Sequence, residues 1–274
     1  RAVLLVDGMR KEILLFFSPS ENSLRNEGLS LDYVRDPRGA TGVERVHPSA
    51  DLMKVLAERA VGAKAIYTPL TPEGPPQEVA TDSALDGRLT RERQLALKLG
   101  ELFPALEVRD CTGLLWELRR IKTPAEIEVM REAGRVSVEA MIEVMKAARV
   151  GQAEFELSAV FEYVCKRQGC RRVFDYNVII SSAENHPYLH YNRHDRTLAD
   201  GDFLVVDSGA DHRDYDSDIS ISFPINGRFT PRQREIYEAC NAVSKACLLY
   251  YKAGVTAYEV GAKVREKLLA DGHD

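Results

Sequence analysis

The stretch from Phe203 to Phe223, FLVVDSGADHRDYDSDISISF, reads as two strands and the connection between them. Phe203-Leu204-Val205-Val206 is a short apolar run, and Ile219-Ser220-Ile221-Ser222-Phe223 alternates apolar with polar, as a half-buried strand does. Asp207 closes the first run and is followed by Ser208-Gly209, while Asp218 opens the second. Strands joined by so short a connection pair antiparallel, which can bring both carboxylates to one end of the pair. Two carboxylates on rigid strands suit hard, oxygen-seeking divalent ions such as manganese or magnesium. Gly209, with no Cβ, permits close approach of a ligand. An Asp pair of this kind also occurs as a plain turn or surface feature, and the pair alone leaves both readings open. Between the strands, Asp211, His212, Asp214 and Asp216 read as a solvated acidic loop, with lining of a cleft as the alternative. Tyr215 either packs or reaches into that cleft.

Outward from this pair, helix starts are written in the chain. Thr123-Pro124-Ala125-Glu126 is a capping box with proline at the first helical position, where its missing N–H costs nothing. Thr230-Pro231-Arg232-Gln233 and Thr256-Ala257-Tyr258-Glu259 repeat the signature. Helices are therefore expected from about 124, 231 and 257, with Gly254 ending the second, and another over Glu154–Arg167. A further strand is expected over Asn177–Ile180. Toward the N-terminus, Ala2–Val6 and Glu12–Phe17 read as strands joined at Asp7-Gly8, Ala50–Val61 as a helix, and Ala65–Tyr67 as a strand. The proline-rich segment Pro69–Asp86 reads as a surface loop, followed by a helix over Arg91–Leu102 and a strand near Leu106–Val108. This alternation predicts an α/β domain over residues 1–120 and a second domain over 121–274.

Bulk properties exclude several functions. A chain of 274 residues with 45% apolar and 29% charged side chains has the balance of a globular protein with its own core. A net charge of -5 speaks against a nucleic-acid partner, which calls for a basic face. No apolar run approaches the roughly 18 residues that span a bilayer, so no membrane partner is expected. Five cysteines without a C-x-x-C pair fit a reducing compartment, and a cytoplasmic location is expected. No G-x-G-x-x-G, phosphate-binding loop or G-x-S-x-G appears, leaving metal as the expected cofactor. His186, His190 and His194 stand at helical four-residue spacing, but Pro187 speaks against a helix and hence against a three-histidine metal face.

The ordered set Leu189-His190-Tyr191, Asp200-Gly201-Asp202, Val206-Asp207-Ser208-Gly209, Asp218-Ile219 and Phe223-Pro224-Ile225-Asn226-Gly227 closely resembles the creatinase/aminopeptidase superfamily, nearest its Xaa-Pro aminopeptidases and prolidases. Arg120–Ile127 and Gly227–Tyr237 resemble the segments that open the family's catalytic domain and lead into its next helix. The resemblance is strong over about 120–274 and weak before it. It implies an α/β and α+β protein, a creatinase-like N-terminal domain followed by part of a pita-bread catalytic domain.

The implied activity is hydrolysis of the bond between an N-terminal residue and a following proline, by a hydroxide held on two divalent ions. Manganese is the expected metal, with zinc or cobalt as alternatives. The family's ligands are two Asp, one His and two Glu; Asp207 and Asp218 fall on the Asp positions, Asp218 as the bridge. His190 falls on the active-site histidine that steadies substrate and intermediate, a role an imidazole donor suits. The remaining His and Glu ligands have no family-like counterpart among Glu235, Glu238, Glu259, Glu266 and His273. The chain, which begins at Arg1, is accordingly expected to lack both the start of the first domain and the second half of the catalytic one, and to be inactive alone. A homodimer or higher oligomer is expected. Three other readings stay open. Asp195-Arg196-Thr197 and Ser217–Ser220 look prolidase-like, a creatinase-type enzyme shares the fold without metal, and some relatives only bind peptide.

Overall fold

The computed structural model describes residues 2–71, 89–170, 172–173 and 178–272. The expected loop over 69–86 falls largely outside these residues, as do Asn177, expected to begin a strand, and His273. The chain divides into two compact units, Arg1–Ile121 and Lys122–Asp274.

In the first unit, β1 (Ala2–Asp7) and β2 (Glu12–Phe17) form an antiparallel hairpin. Its turn is shaped by Asp7, whose Oδ1 accepts from the N–H groups of Met9 and Arg10, both at 3.0 Å. Three short helices follow: α1 (Glu21–Asn26), α2 (Asp32–Arg35) and α3 (Pro37–Thr41). Each is too short to display a helical period, so none was expected. β3 (Arg45–His47) then pairs parallel to β2. Beyond it come α4 (Leu52–Ala60), β4 (Ala65–Thr68), α5 (Arg91–Leu102) and β5 (Glu107–Asp110), with β4 and β5 parallel. A parallel pair needs a crossover of this length, and α5 lies within it. The unit closes with α6 (Thr112–Arg120), which the sequence reading did not identify. Among the described residues, Leu14, Leu15, Phe16, Leu24 and Leu99 are its buried apolar side chains.

The second unit starts with α7 (Pro124–Ala147) and α8 (Glu154–Arg167), which pack against each other. Next come β6 (Arg172–Val173), β7 (Ile179–Ser182), β8 (Phe203–Ser208), β9 (Ala210–His212), β10 (Tyr215–Asp216) and β11 (Ile219–Pro224). One antiparallel sheet runs β11-β8-β7 and a smaller one β10-β9-β6. Val136, Ala140 and Val144 of α7 meet Leu157, Phe161 and Val164 of α8 over Ile180, Leu204 and Val206 of the sheet, all buried. Each of these side chains other than Ala140 contributes about 1.5–3 kcal/mol on leaving water. Burial alternates along β8: Leu204, Val206 and Ser208 are buried in the core, so Phe203, Val205 and Asp207 face the other way. That alternation fixes where Asp207 points.

The unit ends in α9 (Pro231–Tyr250) and α10 (Ala257–Ala270), packed on each other through Ala246, Val260 and Val264. All three expected capping boxes form. Thr123 Oγ1 accepts from Glu126 N–H at 3.3 Å while Glu126 Oε2 accepts from Thr123 N–H at 2.7 Å. Thr230 with Gln233 and Thr256 with Glu259 repeat the exchange. One boundary differs: α9 ends at Tyr250, and Gly254, at φ 86°, turns the connector instead of ending the helix. Replacing Thr230 with Ala removes an acceptor from the first turn of α9 and is expected to cost about 1 kcal/mol. Urea unfolding should show a lower midpoint with an unchanged slope, and Thr230→Ser should recover most of the loss.

Candidate metal centre

The register of β8 against β11 sets the site. Ser220 lies opposite Asp207 and Ile219 opposite Ser208. Asp218, two residues before Ser220, is therefore the diagonal neighbour of Asp207 on the same face of the sheet. Ser220 Oγ donates to Asp207 Oδ1 at 2.7 Å and fixes that carboxylate. Partial desolvation, then the charge of Asp207 and a hydrogen bond to it, raise the Asp218 carboxyl above its ordinary range. Asp218 keeps solvent on one side, so the like charge carries the argument: two carboxylates this close resist ionising together. A divalent cation between them would relieve that repulsion, so the pair fits a metal. It supplies only part of a coordination shell, however, and among the described residues no group of three or more His, Cys, Asp or Glu could hold an ion.

The connection between the Asp residues is built rather than loose. A Cβ on Gly209 would stand 1.4 Å from the Ser217 carbonyl oxygen, so only glycine lets the strands converge here. Ser217 N–H donates to Ala210 O at 3.2 Å across the same neck. Ser137 of α7 joins it from the core side, its Oγ accepting from Ala210 N–H at 2.7 Å and lying 2.6 Å from Ser217 Oγ. Beyond the neck, β9 and β10 form a hairpin closed by Arg213 and Asp214, both at positive φ (53° and 63°), the pattern of the tightest hairpin turn. The expectation of a solvated acidic loop holds for the exposed Asp214 and Asp216 but is corrected at Asp211, which is only 5% exposed and accepts from Asp214 N–H. Tyr215 turns toward α7, where its hydroxyl donates to Glu126 Oε1 at 2.6 Å and helps hold that carboxyl down to about 2.

His190 lies on the exposed segment between β7 and β8, beside Tyr188 and Leu189, the latter 82% exposed. The three evenly spaced histidines share no helix. His186 bonds Phe203 O through Nε2 at 2.9 Å, and His194 is buried, its Nε2 accepting from Ile180 N–H at 3.3 Å. Burial lowers the His194 pKa. Of the downstream acids, Glu259 caps α10, while Glu235 and Glu238 pair with Arg232 and Arg234. Sequence reasoning passed over Glu154, a wholly buried acid at the start of α8. Its one signal was a helix beginning with two acids, Glu154 and Glu156, of which only one could face water as a cap.

A raised Asp218 pKa has a definite linkage. The fold favours the protonated form, so this contribution is intact below the ordinary carboxylate range and is lost as pH rises through the folded-state value. In metal-free chain, Asp218→Asn is expected to raise the melting temperature at about pH 7 and leave it unchanged at about pH 3. An equal shift at both values would mean that charge repulsion is not its origin.

Three comparisons bear on this geometry. The sequence profile of Metallopeptidase family M24 matches residues 128–273. Human Xaa-Pro dipeptidase is 42% identical over 143 residues, 51% of this chain and 29% of that protein. The Xaa-Pro aminopeptidase of Escherichia coli (strain K12) is 30% identical over 223 residues, 81% of this chain and 49% of that protein. The structure of Pseudomonas aeruginosa aminopeptidase PepP superposes with a TM-score of 0.77 at 28% identity, covering 99% of this chain and 61% of that one. The matches thus span less than half the length of both curated relatives. The fold is that of aminopeptidase P structures, and the family match takes in both strands of the carboxylate pair: the chain belongs to metallopeptidase family M24.

Proposed function

We propose that this chain carries the two metal-binding aspartates of a peptidase that removes the residue ahead of a proline. The observation behind this reading is that Asp207, at the end of β8, and Asp218, just before β11, come close enough to interact. Asp207 and Asp218 would hold the divalent ions, with Asp218 as the shared ligand, and manganese is favoured by the carboxylate oxygens these two supply. When bound, the ions supply an acidified water and polarise the scissile carbonyl. Ser220 holds Asp207 in its orientation through the 2.7 Å bond. His190 donates a hydrogen bond to the oxygen on which charge develops. The substrate is a peptide with proline in second position, whose imide lacks an N–H and calls for a shaped pocket.

A prolidase reading, restricted to dipeptides, has its own support: the 42% identity to human Xaa-Pro dipeptidase against 30% to the bacterial aminopeptidase. Cytoplasmic residence is supported by five free cysteines, and a homodimer by exposed apolar residues such as Leu248, Leu249 and Tyr258. Among the described residues no helix is long and apolar enough to cross a membrane.

Given manganese, the protein is expected to release the first residue of Xaa-Pro peptides and to stop when the ion is chelated. Cleavage of tripeptides as well as dipeptides selects the aminopeptidase reading, dipeptides alone the prolidase one. His190→Ala should cost about 100-fold in kcat/KM, and Asp218→Asn more. Absence of Xaa-Pro cleavage in the metal-loaded protein would overturn the assignment, as would a binding-only protein.

A further inference from the structure

Glu154 is 0% exposed, an expensive place for a carboxylate unless donors surround it. Its donors come from the last residue of β7 and from the segment between β7 and β8. Ser182 Oγ donates to Oε1 at 2.5 Å, Asn185 Nδ2 to both oxygens at 3.3 and 3.4 Å, and Tyr191 Oη to Oε2 at 2.8 Å. Asn185 and Tyr191 stand on either side of residues 186–190, which arch out as five consecutive exposed residues. Both feet of the arch therefore rest on one carboxylate, and His190 is the residue next to a foot.

The clamp is itself held. Glu154 N–H donates to Arg196 O and Phe155 N–H to His194 O, both at 3.0 Å, stitching the start of α8 to the returning leg. Arg196 donates to Ser182 Oγ at 3.1 Å and is in turn fixed by Asp202 and Glu184. The Tyr191 ring meets His194 edge-on at 5.6 Å, and His194 sits in the left-handed region at φ 52°, a conformation that needs such support. Since α8 packs on α7, which also ties the neck between the Asp residues through Ser137, the clamp and the carboxylate pair share one rigid base.

We propose that Glu154 is the positioning residue of His190: its buried carboxylate pins both ends of the arch and so sets where the backbone holds the imidazole. The proposal rests on the role given to His190 above. It takes no part in bond making, so it acts only through the histidine.

A double-mutant cycle with hydrogen exchange tests it. In the protein, Glu154→Ala should lower kcat/KM for an Xaa-Pro peptide about 10-fold or more, chiefly in kcat. In a His190→Ala background the same change should have almost no further effect. Amide protection should fall over residues 185–195 and stay unchanged in α7, β8 and β11. Tyr191→Phe, which keeps the ring and removes one donor, should give a smaller loss in the same segment and serves if Glu154→Ala does not fold. Glu154→Gln, which keeps an acceptor, should recover part of the rate. Additive losses in the cycle, or protection lost throughout α8 and the sheet, would overturn the proposal and mark Glu154 as merely structural. If His190→Ala is itself fully active, the role of His190 falls and this proposal with it, an outcome told apart by the first arm of the cycle alone.

Discussion

The hydrogen-bonded register of β8 against β11 is the constraint on which the second unit of the chain depends. With Ser220 opposite Asp207, Asp218 has no choice but to share its face. A slip of one residue would turn every side chain of β11 to the other side. The register is held from several directions at once. The Ala210–Ser217 bond closes the neck beyond the strands, Gly209 allows the two backbones to approach, and Ser137 bonds the neck from α7. The apolar residues of β8 sit under α7 and α8, so slipping would also expose Leu204 and Val206. Repulsion between the carboxylates works against this arrangement, and the packing beneath it is what makes the repulsion tolerable.

Helix α7 is the second element with several duties. Its capping box begins the unit, and Glu126 in that box also receives the Tyr215 hydroxyl from the far end of the β9–β10 hairpin. One glutamate therefore fixes both a helix start and a hairpin. Ser137, about three turns further on, reaches the neck. The small residues Ala133, Ser137 and Ala140 are all fully buried, which lets the sheet backbone come close to the helix axis.

Much of this was legible in the chain because the deciding signals are local. A Thr with Glu or Gln three residues on makes a box whatever surrounds it, which is why Thr123, Thr230 and Thr256 could be read directly. The same holds for the alternation in Ile219–Phe223. What was not legible depends on partners remote in sequence. Asp211 looked like a solvated acid because nothing nearby in sequence signals that it will be buried. Glu154 looked like any first-turn acid, and only the fold brings Ser182, Asn185 and Tyr191 to it. The short helices of the first unit carry too few residues for any period. Gly254 misled because a left-handed glycine serves a connector as well as a helix end.

The neck at Ala210 and Ser217 divides the connector into two regions of opposite tolerance to change in length. Beyond it, the Arg213-Asp214 tip is exposed and its hairpin is closed by its own bonds, so added residues there would lengthen an appendage without reaching the carboxylates. Within it, a single residue inserted between Asp218 and Ile219 would turn the Asp218 carboxylate to the opposite face. The hairpin tip is thus where lineages could vary this segment, or an experimenter graft a label. The few residues on the sheet side of the neck set a ruler that admits no other count.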